Sequence, residues 1–304
     1  MCHTLKSNKL TIKFFKGTIF LSRFRPQLAP AYLNLGLTLS SLGRRAEALV
    51  TLEKADKLSD RGLKDPKTNA AARLSASFNV GKLLLEGGDL QRSLPVLHDC
   101  WRRGYGAAAA NLLGEVHERL GNTEEAESWY GRSLASNPSH IPAHLTLARM
   151  LAKNQSRVAE AELWFLRARR VAPSEAQVHS HYGLYLMDRE RHDEAAATLA
   201  EAARLSPQDY DATFNAAVAA REAGKLDAAE AWYRRAVELR PREASGHMNL
   251  GALLHLVGKL QEAEAEYLEA WGLGSRKEVT RTNIHRLHNV MRARRMEVRT
   301  VEGL

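Results

Sequence analysis

Asparagine recurs at one position of a pattern that repeats along this chain. The recurring residues are Asn34, Asn79, Asn215 and Asn249. An asparagine side chain offers one acceptor and two N–H donors, so it can pair with both backbone groups of an extended peptide. The spacing therefore predicts a peptide-binding ladder with little sequence preference. Other copies of the pattern carry Leu112, Thr146 and His181 instead, and a simple preference of the repeat for asparagine is the alternative.

The other reactive residue types lack the spacing of a catalytic or metal centre. The chain contains neither a P-loop nor a G-x-S-x-G sequence. We expect His179 and His181 to be surface or groove residues, and His285 and His288 to lie on an exposed helix without cysteine partners. Cys100 stands at a small-residue position and is interpreted as a packing residue. We predict no catalytic residues, no metal site and no cofactor.

One surface turn carries a candidate modification site. Asn154-Gln155-Ser156 is an N-glycosylation sequon, and it falls between two predicted helices. The sequon matters only if the chain enters the secretory pathway.

These side chains must be positioned by pairs of amphipathic helices. Seven small residues mark the copies: Gly36, Gly81, Gly114, Ala148, Gly183, Ala217 and Gly251. Each is followed by a second small residue and then by a large apolar residue at helical spacing. The pattern resembles the tetratricopeptide repeat, which pairs two helices in about 34 residues. It predicts an all-α right-handed superhelix of about seven helix-turn-helix repeats with a C-terminal capping helix.

The period divides the chain into three segments. Residues 26–275 form the predicted repeat array, and residues 276–304 form a basic capping helix and tail, for which a partner-binding or membrane-surface helix is the alternative. We expect residues 1–25 to be a basic segment outside the repeats, and we favour a wrongly predicted exon over a targeting segment as its origin. The first two landmarks are 45 residues apart, which predicts either a surface loop or an extended second helix in the first repeat.

Charge and hydropathy restrict the partners. Lysine and arginine number 44 against 35 acidic residues, a net charge of +9. Basic ends can meet RNA or lipid, but the motifs of common RNA-binding modules are missing, so we predict no nucleic-acid partner. No apolar run is long enough to span a bilayer.

Several segments resemble one family more closely than a general repeat does. They are residues 29–36 (APAYLNLG), 63–66 (LKDP), 140–146 (HIPAHLT), 248–256 (MNLGALLHL) and 287–291 (LHNVM). They are similar to the transmembrane and tetratricopeptide-repeat O-mannosyltransferases. The resemblance runs from about Pro26 to about Arg292 and includes the unusual insertion.

The resemblance implies repeats that lie in the lumen of the endoplasmic reticulum. The family transfers mannose from dolichyl phosphate mannose to serine or threonine of cadherin-type substrates. Its acidic catalytic residues lie in a membrane-spanning N-terminal domain, and none of them carries over to this sequence. The implied partners are proteins or peptides, among them cadherin-type substrates, chaperones and calcium-handling proteins of the endoplasmic reticulum. The alternative is a free-standing cytosolic adaptor in a multiprotein complex.

Overall fold

The computed structural model describes residues 27–61, 63–274 and 277–299, and the regular elements within these ranges are all helices. Contacts between Cα atoms divide the chain into two compact units, Met1–Met150 and Leu151–Leu304. The first unit contains helices α1 to α6: Ala29–Ser41, Arg45–Asp56, Pro66–Glu86, Leu90–Arg102, Ala107–Arg119 and Thr123–Ser136. Helix α7, Ile141–Ala152, runs across the division.

The second unit continues the alternation of helices. A single 3-10 turn, Gln155–Arg157, precedes helices α8 to α15: Val158–Val171, Ala176–Asp188, His192–Leu205, Tyr210–Glu222, Leu226–Leu239, Ala244–Leu256, Leu260–Gly272 and Lys277–Ala293. Successive helices pack as antiparallel hairpins, for example α9 on α10 and α13 on α14. The predicted helix-turn-helix repeats are confirmed.

Each hairpin is closed by a small residue on its first helix and a large residue on its second. A Cβ placed on Gly183 would lie 2.5 Å from Cγ of Leu199, and one on Gly114 would lie 2.4 Å from Cε1 of Tyr130. Both large side chains are buried. The missing side chain allows the two helices to approach, and the large side chain fills the space between them.

Most of the hairpin turns contain a residue in the left-handed backbone conformation, and the turn of the fourth repeat contains the 3-10 turn instead. Gly121 adopts a φ of 82° in the third repeat, where glycine pays no steric cost. The fifth repeat has Glu190 at its turn with a φ of 58°, a conformation that is uncommon for residues with a Cβ.

The insertion between the first two landmark residues is partly helical. It lengthens the first helix of the second repeat, whereas the sequence predicts a longer second helix of the first repeat as the alternative to a loop. Helix α2 ends at Asp56, whereas the 21-residue helix α3 begins at Pro66. Asp65 caps α3 by accepting a hydrogen bond from the backbone N–H of Thr68 at 3.0 Å. Proline at the first helical position loses no hydrogen bond there. The helix that follows the loop, rather than the one before it, is therefore extended.

A buried asparagine ties the insertion to the start of the array. Asn69 is 1 % exposed, and its Oδ1 accepts a hydrogen bond from the backbone N–H of Ala29 at 2.7 Å. Its Nδ2 donates to Asp60 in the loop at 2.8 Å. Arg73 also donates to Asp60, at 2.6 Å. These contacts satisfy polar groups that would otherwise be buried without partners.

The ends of the predicted array lie outside the described ranges. Residues 1–25, with their proposed origin, are not described, and neither are residues 26, 275 and 276 at the proposed segment boundaries. Across the described residues, no helix is both long and apolar enough to cross a membrane.

Candidate functional site

The ladder asparagines lie on the first helices of their hairpins. In the first unit Asn34 is exposed on α1 and Asn79 is half-buried on α3. In the second unit Asn215 on α11 and Asn249 on α13 are both half-buried. Each unit therefore carries asparagine at the ladder position of two consecutive repeats.

Two of these amides are oriented by their own helices. Nδ2 of Asn79 donates to the backbone carbonyl of Ser75 at 2.7 Å, and Nδ2 of Asn249 donates to that of Ser245 at 2.8 Å. Each bond uses one N–H of the amide. The second N–H and the Oδ1 acceptor remain for a ligand, so the side chains are held ready without being fully used.

The interruption of the ladder has a structural basis in the fourth repeat. Thr146 is buried, and its hydroxyl donates to Oδ1 of Asn111 at 2.7 Å and is within 2.8 Å of the carbonyl of Pro142. The hydroxyl proton is engaged inside the protein, so this position cannot donate a hydrogen bond to a peptide backbone.

A groove of about 510 Å³ lies between α9 and α11 in the second unit. Two ladder positions line it, His181 and Asn215. Its apolar lining includes Leu205 and Leu184, the latter 42 % exposed. Exposed carboxylates stand at its rim: Glu175, Asp209 and Asp211. The groove thus combines amide hydrogen bonding, an apolar surface and negative charge, which suits an extended peptide better than a small apolar ligand.

A second groove of about 510 Å³ lies in the first unit beside α2, α3 and α4. It is bordered by an ion pair between Arg92 and Glu53 at 3.0 Å. None of the ladder asparagines lines it. We therefore do not assign the predicted function to this groove.

Buried histidines join successive repeats, which corrects the expectation that His179 lies at the surface or in the groove. Nε2 of His179 lies 2.7 Å from the carbonyl of Pro173, and Nε2 of His247 lies 3.0 Å from that of Pro241. A carbonyl only accepts, so Nε2 carries the proton in each case. Each imidazole ring therefore stabilises the junction between two repeats at the closing proline. His181, in contrast, lines the groove as expected.

Of the two histidines of α15, only His288 differs from the expectation of an exposed helix. His285 is exposed, but His288 is buried and its Nε2 lies 2.8 Å from Oε1 of Glu264. Glu264 is itself 3 % exposed and accepts a hydrogen bond from the backbone N–H of Arg299 at 2.7 Å. The carboxylate thereby lies next to α15 and is hydrogen-bonded to the segment that follows it.

The remaining predicted positions lie apart from the groove. Asn154 is exposed beside the 3-10 turn, and its Oδ1 accepts hydrogen bonds from the backbone N–H and the hydroxyl of Ser156 at 3.0 and 2.8 Å. Cys100 is buried, and burial raises the pKa of its thiol, which suits a packing residue. Within the described ranges, no three potential metal ligands come together.

One ladder position was missed in the sequence. Asn283 on α15 follows Asn249 by the same 34 residues that separate Asn249 from Asn215. Its Nδ2 lies 3.6 Å from Sδ of Met248 on α13. The spacing was a sufficient signal, but the helix lacks the small landmark residue of the other repeats.

Comparisons with known proteins agree with this architecture. Two family models described as tetratricopeptide repeat match the chain, one at residues 78–141 and 183–244 and the other at residues 29–61. A tetratricopeptide repeat protein from Parabacteroides merdae has a similar structure, with a TM-score of 0.50 and 18% identity. The match covers 86% of this chain and 99% of that chain, and at this identity it supports the fold alone.

Curated relatives give a narrower assignment. The chain is 40% identical over 132 residues to human protein O-mannosyl-transferase TMTC2, a match that covers 42% of this chain and 16% of that protein. It is 38% identical over 171 residues to protein O-mannosyl-transferase Tmtc1 of Drosophila melanogaster, covering 53% and 19% respectively. The matches span less than a fifth of either relative. The chain is therefore a tetratricopeptide-repeat protein whose repeats are homologous to the repeat portion of the TMTC O-mannosyltransferases.

Proposed function

We propose that this chain binds extended peptide segments through its ladder asparagines, as the luminal repeat portion of an O-mannosyltransferase. The observation that carries the proposal is the groove between α9 and α11. It places Asn215 beside Leu184, so backbone pairing and apolar contact are available at one site.

The relationship to the TMTC proteins suggests what the peptides would be. Those relatives are named as protein O-mannosyltransferases, so their acceptors are protein segments. By the resemblance, sugar transfer would belong to a membrane-spanning domain, and the repeats would hold the serine- or threonine-containing segment of a cadherin-type substrate. A ladder that forms hydrogen bonds with the peptide backbone would bind substrate segments of many sequences.

A binding measurement on the whole chain tests the proposal. Fluorescein-labelled peptides from a cadherin repeat are titrated with the chain, and fluorescence anisotropy gives the Kd. The double variant Asn215→Ala, Asn249→Ala is expected to bind about tenfold more weakly, because each lost hydrogen bond is worth about 1 kcal/mol and part of that is recovered by water.

The matched control is Asn154→Ala, which removes an exposed asparagine amide outside the groove. It should retain the affinity of the wild type. An unchanged affinity in the double variant, with wild-type helicity by circular dichroism, would reject the ladder as the binding surface.

A further inference from the structure

Helix α15 continues the ladder face rather than only closing the array. Its buried residues recur with helical spacing at Thr280, Ile284, Leu287, His288 and Met291. This is the buried face of a first helix, and the contact between Asn283 and Met248 places it next to α13. The ladder positions of the second unit are therefore His181, Asn215, Asn249 and Asn283.

The end of the chain holds α15 in this position. The Glu264 carboxylate on α14 contacts His288 at 2.8 Å and the backbone N–H of Arg299 at 2.7 Å. Because both contacts are made by one buried carboxylate, the helix cannot shift without exposing or unpairing that charge.

The chemistry of the ladder face changes at this last helix. Three residues after each ladder position the chain has Leu184, Val218 and Ala252 on α9, α11 and α13. The corresponding residue on α15 is Arg286, which is exposed. Residues three apart are neighbours on a helix surface, so Arg286 stands beside Asn283. The apolar residues at this position on α9, α11 and α13 are therefore followed by a cationic residue on α15.

We propose that Asn283 and Arg286 form the terminal position of the binding face, where the guanidinium binds a carboxylate of an extended peptide whose preceding side chains are apolar. This inference rests on the peptide binding proposed above. Charge complementarity sets the occupant, since a guanidinium pairs with a planar carboxylate through two parallel hydrogen bonds. The carboxylate can come from an acidic side chain or from the C-terminus of the peptide.

Three labelled probe peptides with the same apolar core separate these sources. One ends in glutamate with an amidated C-terminus, the second has glutamine in its place, and the third is the glutamine peptide with a free C-terminus. Anisotropy titrations use the whole chain. We expect wild type to bind at least one carboxylate-bearing peptide about fivefold more tightly than the neutral peptide, and which one it prefers identifies the source.

Three substitutions locate the effect. Arg286→Gln should abolish the preference and leave the affinity for the neutral peptide unchanged, whereas Asn283→Ala should weaken all three. The control Arg292→Gln removes the same charge from an exposed position about 120° around the helix, and it should retain the preference.

Equal binding of all three peptides by wild type, or an equal loss in the Arg292→Gln control, would overturn this inference and leave peptide binding intact. Failure of wild type to bind any of these peptides or the cadherin peptides would overturn both proposals.

Discussion

The pKa of Glu115, a side chain of the first unit, is shifted in opposite directions by burial and by neighbouring arginines. Glu115 is half-buried on α5. Burial raises the pKa of its carboxyl, while Arg149 and Arg119 oppose that rise without cancelling it. The ionised carboxylate is therefore less stable in the folded chain than in water. Arg119 lies one turn away on the same helix, whereas the burial and Arg149 come from packing between helices, so no sequence motif marks this residue.

Replacing Glu115 is expected to change how stability depends on pH. The folded pKa exceeds the unfolded one, so the folded state binds more protons between the two values and loses stability as pH rises through them. Glu115→Gln removes this loss, so it should stabilise the chain at about pH 7 and bring no such gain well below the ordinary carboxyl pKa of about 4.3. Urea unfolding at the two pH values measures the effect.

Glu269→Gln is the control, because this carboxylate is exposed on α14. Its effect should remain within about 0.5 kcal/mol at both pH values. A Glu115→Gln variant that is less stable than wild type at neutral pH would show that attraction to Arg149 and Arg119 outweighs the cost of burial.

At the scale of the helices, stability depends on how closely each hairpin closes. Gly183 on α9 lies against Leu199 on α10, and a Cβ there would be 2.5 Å from Cγ of Leu199. The sixth repeat has Ala217 at this position and Tyr233 at the other, and both are fully buried in one cluster. The same repeat position therefore accepts a methyl group in one hairpin and has no room for it in another.

Gly183→Ala is expected to lower the free energy of unfolding by about 1–3 kcal/mol, the usual cost of forcing an extra carbon into a packed core. The matched control is Gly131→Ala on α6, where no atom lies within 4 Å of the added Cβ. It should raise stability by up to about 1 kcal/mol through helix propensity alone. Thermal and urea unfolding compare the two, and equal effects would contradict this account of the contact.

At the scale of the whole molecule, both described units are built from the same kind of helix pair. Each carries ladder asparagines on consecutive first helices, and the second unit also carries the exposed sequon at Asn154. The ladder proposal concerns what the chain would bind, and the sequon concerns its compartment. A glycan can be added only in the secretory pathway, so Asn154 distinguishes a luminal chain from a cytosolic adaptor.

We expect a luminal chain to carry a glycan at Asn154, because the side chain is exposed in a turn and Ser156 completes the sequon. An endoglycosidase should increase the mobility of the wild-type protein from cultured cells, and Asn154→Gln should remove that response. Protease treatment of intact microsomes gives the independent readout. A chain that is digested without detergent would contradict the luminal location and favour the cytosolic adaptor.

The repeated helix pairs can be predicted from the sequence. Apolar spacing, turn glycines and closing prolines act within a few residues of themselves, so the period and the helix type can be read without knowing any distant contact. The position of the ladder asparagines on first helices follows from the same local pattern. Extrapolating the 34-residue interval by one more step would also have found Asn283.

Packing between distant helices determines which polar residues are engaged inside the protein. His288 is buried where α15 packs on α14, with its Nε2 2.8 Å from Glu264, and Thr146 is engaged because Asn111 approaches from another repeat. The extension of α3 depends likewise on Asn69 reaching Ala29. Packing between helices brings these pairs together. The interaction energy of such a contact cannot be inferred from a short local stretch of sequence.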